Sequence, residues 1–137
     1  MYQKVVIVGN LGRDPEMRYT SSGQAVTNFP VATNRVYTNS NGERIQETTW
    51  FRVSAWGRQA EVCNEYLSVG RQVMVEGRLN ADRETGGPRV FTRQDGSTGS
   101  NFELTAERVI FLSSRGDDAG FQQGPPTEEG LEDEIPF

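Results

Sequence analysis

Residues 50–56, Trp50-Phe51-Arg52-Val53-Ser54-Ala55-Trp56, carry two indoles with a guanidinium between them. In an extended strand successive side chains point to opposite faces. Phe51, Val53 and Ala55 then share one face and suit a core, while Trp50, Arg52, Ser54 and Trp56 share the other. Two indoles and an arginine make an odd solvent face. They suit a platform on which nucleobases stack while the guanidinium meets phosphate or stacks as well. Every base has a π-face, so such a surface binds single strands with little sequence preference. The competing reading is that both indoles pack under a loop or against a second subunit, and the pattern alone leaves both open.

Other candidates are softer. Arg35 and Tyr37 stand beside a polar loop, Arg58 begins a helical segment, and Arg18 precedes Tyr19. Each alone is more often an ordinary surface or core residue than a ligand contact. Catalytic chemistry finds little support. The chain has no His and a single Cys, so it lacks the usual general base and cannot build a zinc site of imidazoles and thiolates. It has no Gly-Lys-Ser/Thr phosphate loop. The expectation is a protein that is not an enzyme and uses neither cofactor nor metal. An adaptor whose tail and barrel both bind proteins is an alternative that the Trp50/Arg52/Trp56 face argues against, and a phosphodiester-cleaving enzyme is one that the lack of His or of a clustered carboxylate site in the body argues against.

The elements that must position this face read as strands. Residues 4–8 are apolar at both parities, so both faces of that strand should be covered, one by the core and one by a subunit interface. Residues 25–37 form a second strand, with Phe29, Val31 and Thr33 on one parity. Pro30 marks an edge or a bulge within it. Residues 38–42 read as a hairpin loop and residues 45–56 as a third strand. Ala60, Cys63, Tyr66 and Leu67 share one helical face, and Gly70 stops the helix. Residues 72–82 form a fourth strand with Val73, Val75, Leu79 and Ala81 inward. Residues 101–112 form a fifth, whose apolar parity shifts from Phe102 and Leu104 to Val109 and Phe111, the sign of a bulge. Between them, residues 83–99 read as a long polar loop holding Phe91 between Arg89 and Arg93. Five strands with one helix between the third and fourth is the order of the OB-fold, an all-β Greek-key barrel. Residues 1–112 are the expected domain.

The remaining residues, 113–137, read as a disordered Gly/Gln/Pro linker with an acidic tip. They hold seven acids and one base, a net of −6, against +1 for residues 1–112. The acidic balance of the whole chain, −5, therefore belongs to the tail and does not exclude an anionic ligand. Lys4 is the only lysine among 14 basic residues. The tip, Glu132-Asp133-Glu134-Ile135-Pro136-Phe137, adds an apolar end to a carboxylate cluster, which solubility does not need. It looks like a peptide meant to dock into a partner. No run approaches a membrane span or a signal peptide, so the expectation is a soluble intracellular protein.

The chain closely resembles the bacterial single-stranded DNA-binding protein family. The likeness lies in residues 4–19 (KVVIVGNLGRDPEMRY), in Trp50-Phe51-Arg52-Val53, in Ala60-Glu61 with Glu65-Tyr66-Leu67, in Val75-Glu76-Gly77-Arg78-Leu79, and in Ile135-Pro136-Phe137. The resemblance implies an OB-fold homotetramer that wraps single-stranded DNA in the cytoplasm, at the nucleoid. It also implies a tip that recruits replication, recombination and repair enzymes. Trp50 and Trp56 match the family's base-stacking positions, and Tyr37 falls where a stacking aromatic is usual. Lys4, Arg18, Arg52 and Arg58 match basic positions near the DNA path. The family often has another aromatic in the loop before the last strand. The matching stretch here, Arg83-Glu84-Thr85, lacks one, which leaves Phe91 as the candidate. The mixed Glu132-Asp133-Glu134 replaces an all-Asp run, the linker is short, and Pro30 departs from the pattern.

Overall fold

The computed structural model describes residues 1–112. The acidic tip, Glu132 to Phe137, and the linker before it lie outside the described residues. Seven strands and one helix follow in the order β1 (Val5–Leu11), β2 (Glu16–Tyr19), β3 (Ala25–Thr38), β4 (Arg44–Trp56), α1 (Arg58–Tyr66), β5 (Gln72–Asn80), β6 (Arg89–Thr92) and β7 (Thr98–Phe111).

Five of these strands close a barrel in the order β1-β5-β7-β4-β3, with β3 returning to β1 through Asn10↔Ala32 and Leu11↔Val31. The β4–β7 pair is parallel, from Phe51↔Phe102 to Ser54↔Thr105. With α1 lying between β4 and β5, this is the OB-fold barrel that the strand order implied. Two strands are additional. β2 flanks β3 from Glu16↔Asn28 to Tyr19↔Ala25. β6 folds back on β7 from Arg89↔Asn101 to Thr92↔Thr98, so much of the expected 83–99 loop is a hairpin.

The core follows the period-2 alternation. Phe29, Val31, Val53, Val73, Val75 and Leu104 are fully buried inside the barrel. Each contributes about 1.5–3 kcal/mol by leaving water. The parity shift in β7 is a bulge. Gly77 pairs with Ala106 and Glu76 with Arg108, which leaves Glu107 as the extra residue. Gly77 is required there, because a Cβ would run into the Thr105 carbonyl.

Pro30 has a simple account. Its carbonyl accepts from the Gly12 N–H at 3.0 Å. A strand residue's N–H and C=O point to the same side, so the N–H that proline lacks would face the seam between β1 and β2. The β3–β4 ladder, in register from Val26↔Trp56 to Thr38↔Arg44, loses no donor.

Helix α1 packs against β3, β4, β2 and β7, with Ala60, Cys63 and the following Leu67 buried. The buried Thr27 hydroxyl donates to the Ala60 carbonyl at 2.7 Å, which satisfies its polarity. Burial pushes the Cys63 thiol up to about 12.

Several expected core positions lie elsewhere. Tyr66 is mostly exposed and only edges against Phe111, with ring centroids 6.4 Å apart. Leu79 is 43% exposed and Ala81 falls beyond β5, because that strand runs past the end of the packed interior. Val6 and Val8, on the outer face of β1, are 53% and 45% exposed. Within one chain, then, only the inner face of that strand is covered.

Candidate nucleic-acid interface

Strand β4 holds the two indoles on the outer face of the barrel wall. Trp50 is 52% exposed and Trp56 39%, while the alternating Val53 and Ala55 are fully buried. The same outer face continues across the β3–β4 register, where Trp50, Arg52, Ser54 and Trp56 stand opposite Ala32, Pro30, Asn28 and Val26. Hydrogen bonds fix its middle. The Asn28 amide donates to Ser54 Oγ at 2.7 Å, and Arg18 donates to Asn28 Oδ1 at 2.9 Å. That network ties β2, β3 and β4 together and holds the Arg18 guanidinium on the indole face.

Trp50 has a specific seat. A Cβ added to Gly12 would lie 2.5 Å from the Trp50 ring. The indole therefore lies against bare backbone at that point, where a side chain would push it away. Beside it runs a groove of about 380 Å³ lined by Arg13, Glu16, Asn28, Trp50, Arg52 and Asn101, among others. Arg52 and Arg58 are exposed and have no ion pair with any described residue. Arg58 opens α1, two residues past Trp56. Trp50, Arg52, Trp56 and Arg18 thus share one face, with Arg58 just beyond Trp56 in the chain.

The other candidates stand apart from that surface. Arg35 and Tyr37 share the parity of Phe29 and Val31, opposite to that of the indoles, on the projecting end of the β3–β4 hairpin. The Arg35 guanidinium stacks 4.4 Å from the Tyr37 ring and bonds Glu47 at 3.0 Å, and the Tyr37 hydroxyl donates to the same carboxylate at 3.3 Å. Lys4 precedes β1, and its ammonium lies 3.7 Å from both Glu76 and Glu107 on the β5–β7 side. Phe91 sits on the β6–β7 hairpin, half-buried, with the Arg93 guanidinium 5.3 Å from its ring. One residue was hidden by its parity. Phe102 follows the core alternation with Leu104, yet it is 50% exposed at the barrel rim, tilted against Phe51 with centroids 5.9 Å apart.

Among the described residues no group of three or more His, Cys, Asp or Glu side chains could hold a metal ion, and no helix is long and apolar enough to cross a membrane. Exposed indoles flanking a guanidinium can stack flat rings and neutralise phosphate.

Known proteins share this architecture. The profile of the Single-strand binding protein family matches residues 2–112. The chain is 35% identical over 127 residues to the single-stranded DNA-binding protein of Neisseria meningitidis serogroup A, an alignment covering 93% of this chain and 67% of the relative. It is 45% identical over 93 residues to single-stranded DNA-binding protein 1 of Chlorobaculum tepidum, covering 65% of this chain and 57% of that one. Among solved structures, a deletion mutant of the single-stranded DNA binding protein from Thermus aquaticus overlays with a TM-score of 0.63 at 29% identity, over 82% of this chain and 51% of that one. A Plasmodium falciparum SSB complex with ssDNA overlays with a TM-score of 0.64 at 24% identity, over 82% and 96% of the two chains, a likeness of fold. The chain spans about half to two thirds of the length of these bacterial relatives. On the profile match and the Neisseria relative together, this chain belongs to the single-strand binding protein family.

Proposed function

We propose that this protein binds single-stranded DNA without sequence preference. In this reading it coats and protects strands exposed in replication, recombination and repair, without catalysing a reaction. The observation that carries the proposal is the outer face of β4, where half-exposed Trp50 and Trp56 flank an Arg52 that has no ion pair among the described residues. Bases stack on the two indoles, and Arg52 and Arg58 meet phosphates. Arg18, held by Asn28, lines the path beside Trp56. Lys4 and Arg35 belong to the path as cations already held by carboxylates, so each contributes less to phosphate binding than Arg52 or Arg58. Tyr37 and Phe91 are further stacking positions, each with an arginine already on its ring.

The same reading makes the protein a cytoplasmic, nucleoid-associated homotetramer. A second copy would cover the apolar row Val8, Met74 and Ile110, which the β1–β5–β7 register aligns on one outer face. Glu132, Asp133, Glu134, Ile135, Pro136 and Phe137 would dock into replication and repair enzymes, the Phe137 ring in an apolar pocket and the acids against basic residues.

The test is a titration of intrinsic tryptophan fluorescence with oligo-dT, read beside light scattering. Stacked bases should quench the emission saturably, with poly-dT bound far more tightly than duplex DNA. A protein that stays fluorescent, or that prefers duplex, would refute the assignment.

A further inference from the structure

The indole groove does not end at Trp50. Asn101 lines it on one side, and on the other lines a second, smaller cavity of about 140 Å³ walled by Leu79, Pro88 and Phe102 among others. This second cavity is mostly apolar and lies at the barrel rim, under the turn that Asp82 braces by accepting from the Glu84 and Thr85 N–H groups. Two large apolar side chains are left in water there, since Leu79 and Phe102 are both about half exposed. Phe102 leans on Phe51, the residue between Trp50 and Arg52, and this contact holds its ring at the rim. Arg89, across from Asn101 in the β6–β7 register, pairs with Glu103 of the cavity lining at 3.9 Å.

We infer that Phe102 is an additional base-stacking residue, beyond Trp50, Trp56, Tyr37 and Phe91. The single strand leaves the Trp50 groove, crosses the rim at Asn101, and seats one nucleobase against Phe102 and Leu79. The inference rests on the proposed binding of single-stranded DNA and extends its path. Three observations choose the occupant. The cavity adjoins the indole groove, since Asn101 lines both. Its size is well below the roughly 300 Å³ at which pockets for whole small ligands begin, which fits a flat ring system rather than a folded segment. Glu103, the one charged residue of its lining, is paired with Arg89, so the cavity presents no unneutralised carboxylate to a phosphate backbone.

The experiment uses the full chain with Phe102→Ala, Phe102→Leu and Phe102→Trp, titrated with oligo-dT of about 16 nucleotides, the upper length for one OB-fold. Losing one stacked base should weaken binding roughly five- to hundredfold. Phe102→Leu keeps apolar bulk against Phe51 but has no π-face, so it should melt near wild type and still show the loss. Phe102→Trp should retain wild-type affinity and, with Trp50→Phe and Trp56→Phe in the same chain, give emission that DNA quenches. Strands bearing 5-iododeoxyuridine should crosslink to the peptide containing Phe102. If wild type itself does not bind, the proposed function fails. If wild type binds while Phe102→Leu and Phe102→Ala bind equally well, the stacking position at Phe102 is wrong. If the variants change the assembly mass instead of the affinity, the patch is a subunit contact and the inference is overturned.

Discussion

Gly12→Ala tests whether the backbone seats the reactive indole, without altering any group proposed to touch DNA. The new Cβ would stand 2.5 Å from the Trp50 ring, whereas ordinary contact begins near 3.4 Å. The ring must therefore move by about 1 Å, or tilt by an equivalent amount, since carbon atoms gain contact energy only near 3.5–4.0 Å. The backbone should tolerate the change. Gly12 is not among the residues with positive φ, and its N–H bond to the Pro30 carbonyl survives in alanine. A full base–indole stack is worth about 1–3 kcal/mol, and a displaced ring keeps part of it. The expected loss is roughly half that energy, or about three- to tenfold in oligo-dT affinity. Trp50→Ala, which removes the whole stack, should cost more. The assay is a fluorescence titration with the emission maximum of free protein recorded alongside, because a dislodged Trp50 shifts to the red. Wild-type affinity and an unmoved maximum in Gly12→Ala, beside a clear loss in Trp50→Ala, would refute the idea that Gly12 seats the ring.

Four further outcomes are expected. Arg52→Ala and Arg58→Ala should each lower the slope of log affinity against log salt by about 0.7. Arg35→Ala should lower it less, because Glu47 already neutralises that guanidinium; equal slopes for all three would contradict this ranking. Val8→Glu places a charge in the row with Met74 and Ile110 and should lower the mass seen by light scattering, whereas an unchanged mass would mean the subunits meet elsewhere. The Cys63 thiol, raised from 9.0 to about 12, should resist alkylation near pH 8 in the folded protein and react once urea unfolds it. The raised value favours the folded state's bound proton, so this group's contribution to stability is complete below about 9 and is lost as pH rises from there toward 12. Urea melts at pH 7 and pH 10, compared with those of Cys63→Ala, check the sign. Deleting Phe137 should cost about ten- to a hundredfold in partner affinity, the worth of burying one ring, and leave oligo-dT binding nearly intact. A pull-down that still recovers the same replication and repair enzymes would reduce the tip to a solubilising appendage.

Whatever rests on local periodicity was legible in the order of residues. Alternation alone separated Val53 and Ala55 from Arg52 and Trp56, because the pleat puts neighbours on opposite faces whatever the strand pairs with. The bulge in β7 was legible as a parity slip, and it sits at Glu107. The helix and its buried Ala60 and Cys63 followed from a 3.6-residue repeat. Only the tertiary structure decided matters set by residues far apart in the chain. Lys4 and Arg35 were candidates whose partners were not legible in the chain; the barrel brought Glu76 and Glu107 to one and the hairpin brought Glu47 to the other. Pro30 became intelligible once its carbonyl met Gly12 at the seam. β6 stayed hidden because four residues acquire strand character only from their partner on β7. Phe102 has the parity of a core residue and is nevertheless half exposed. Periodicity assigns a residue to a face, but only the length of the packed barrel decides whether anything covers that face, and here the core stops short of the rim.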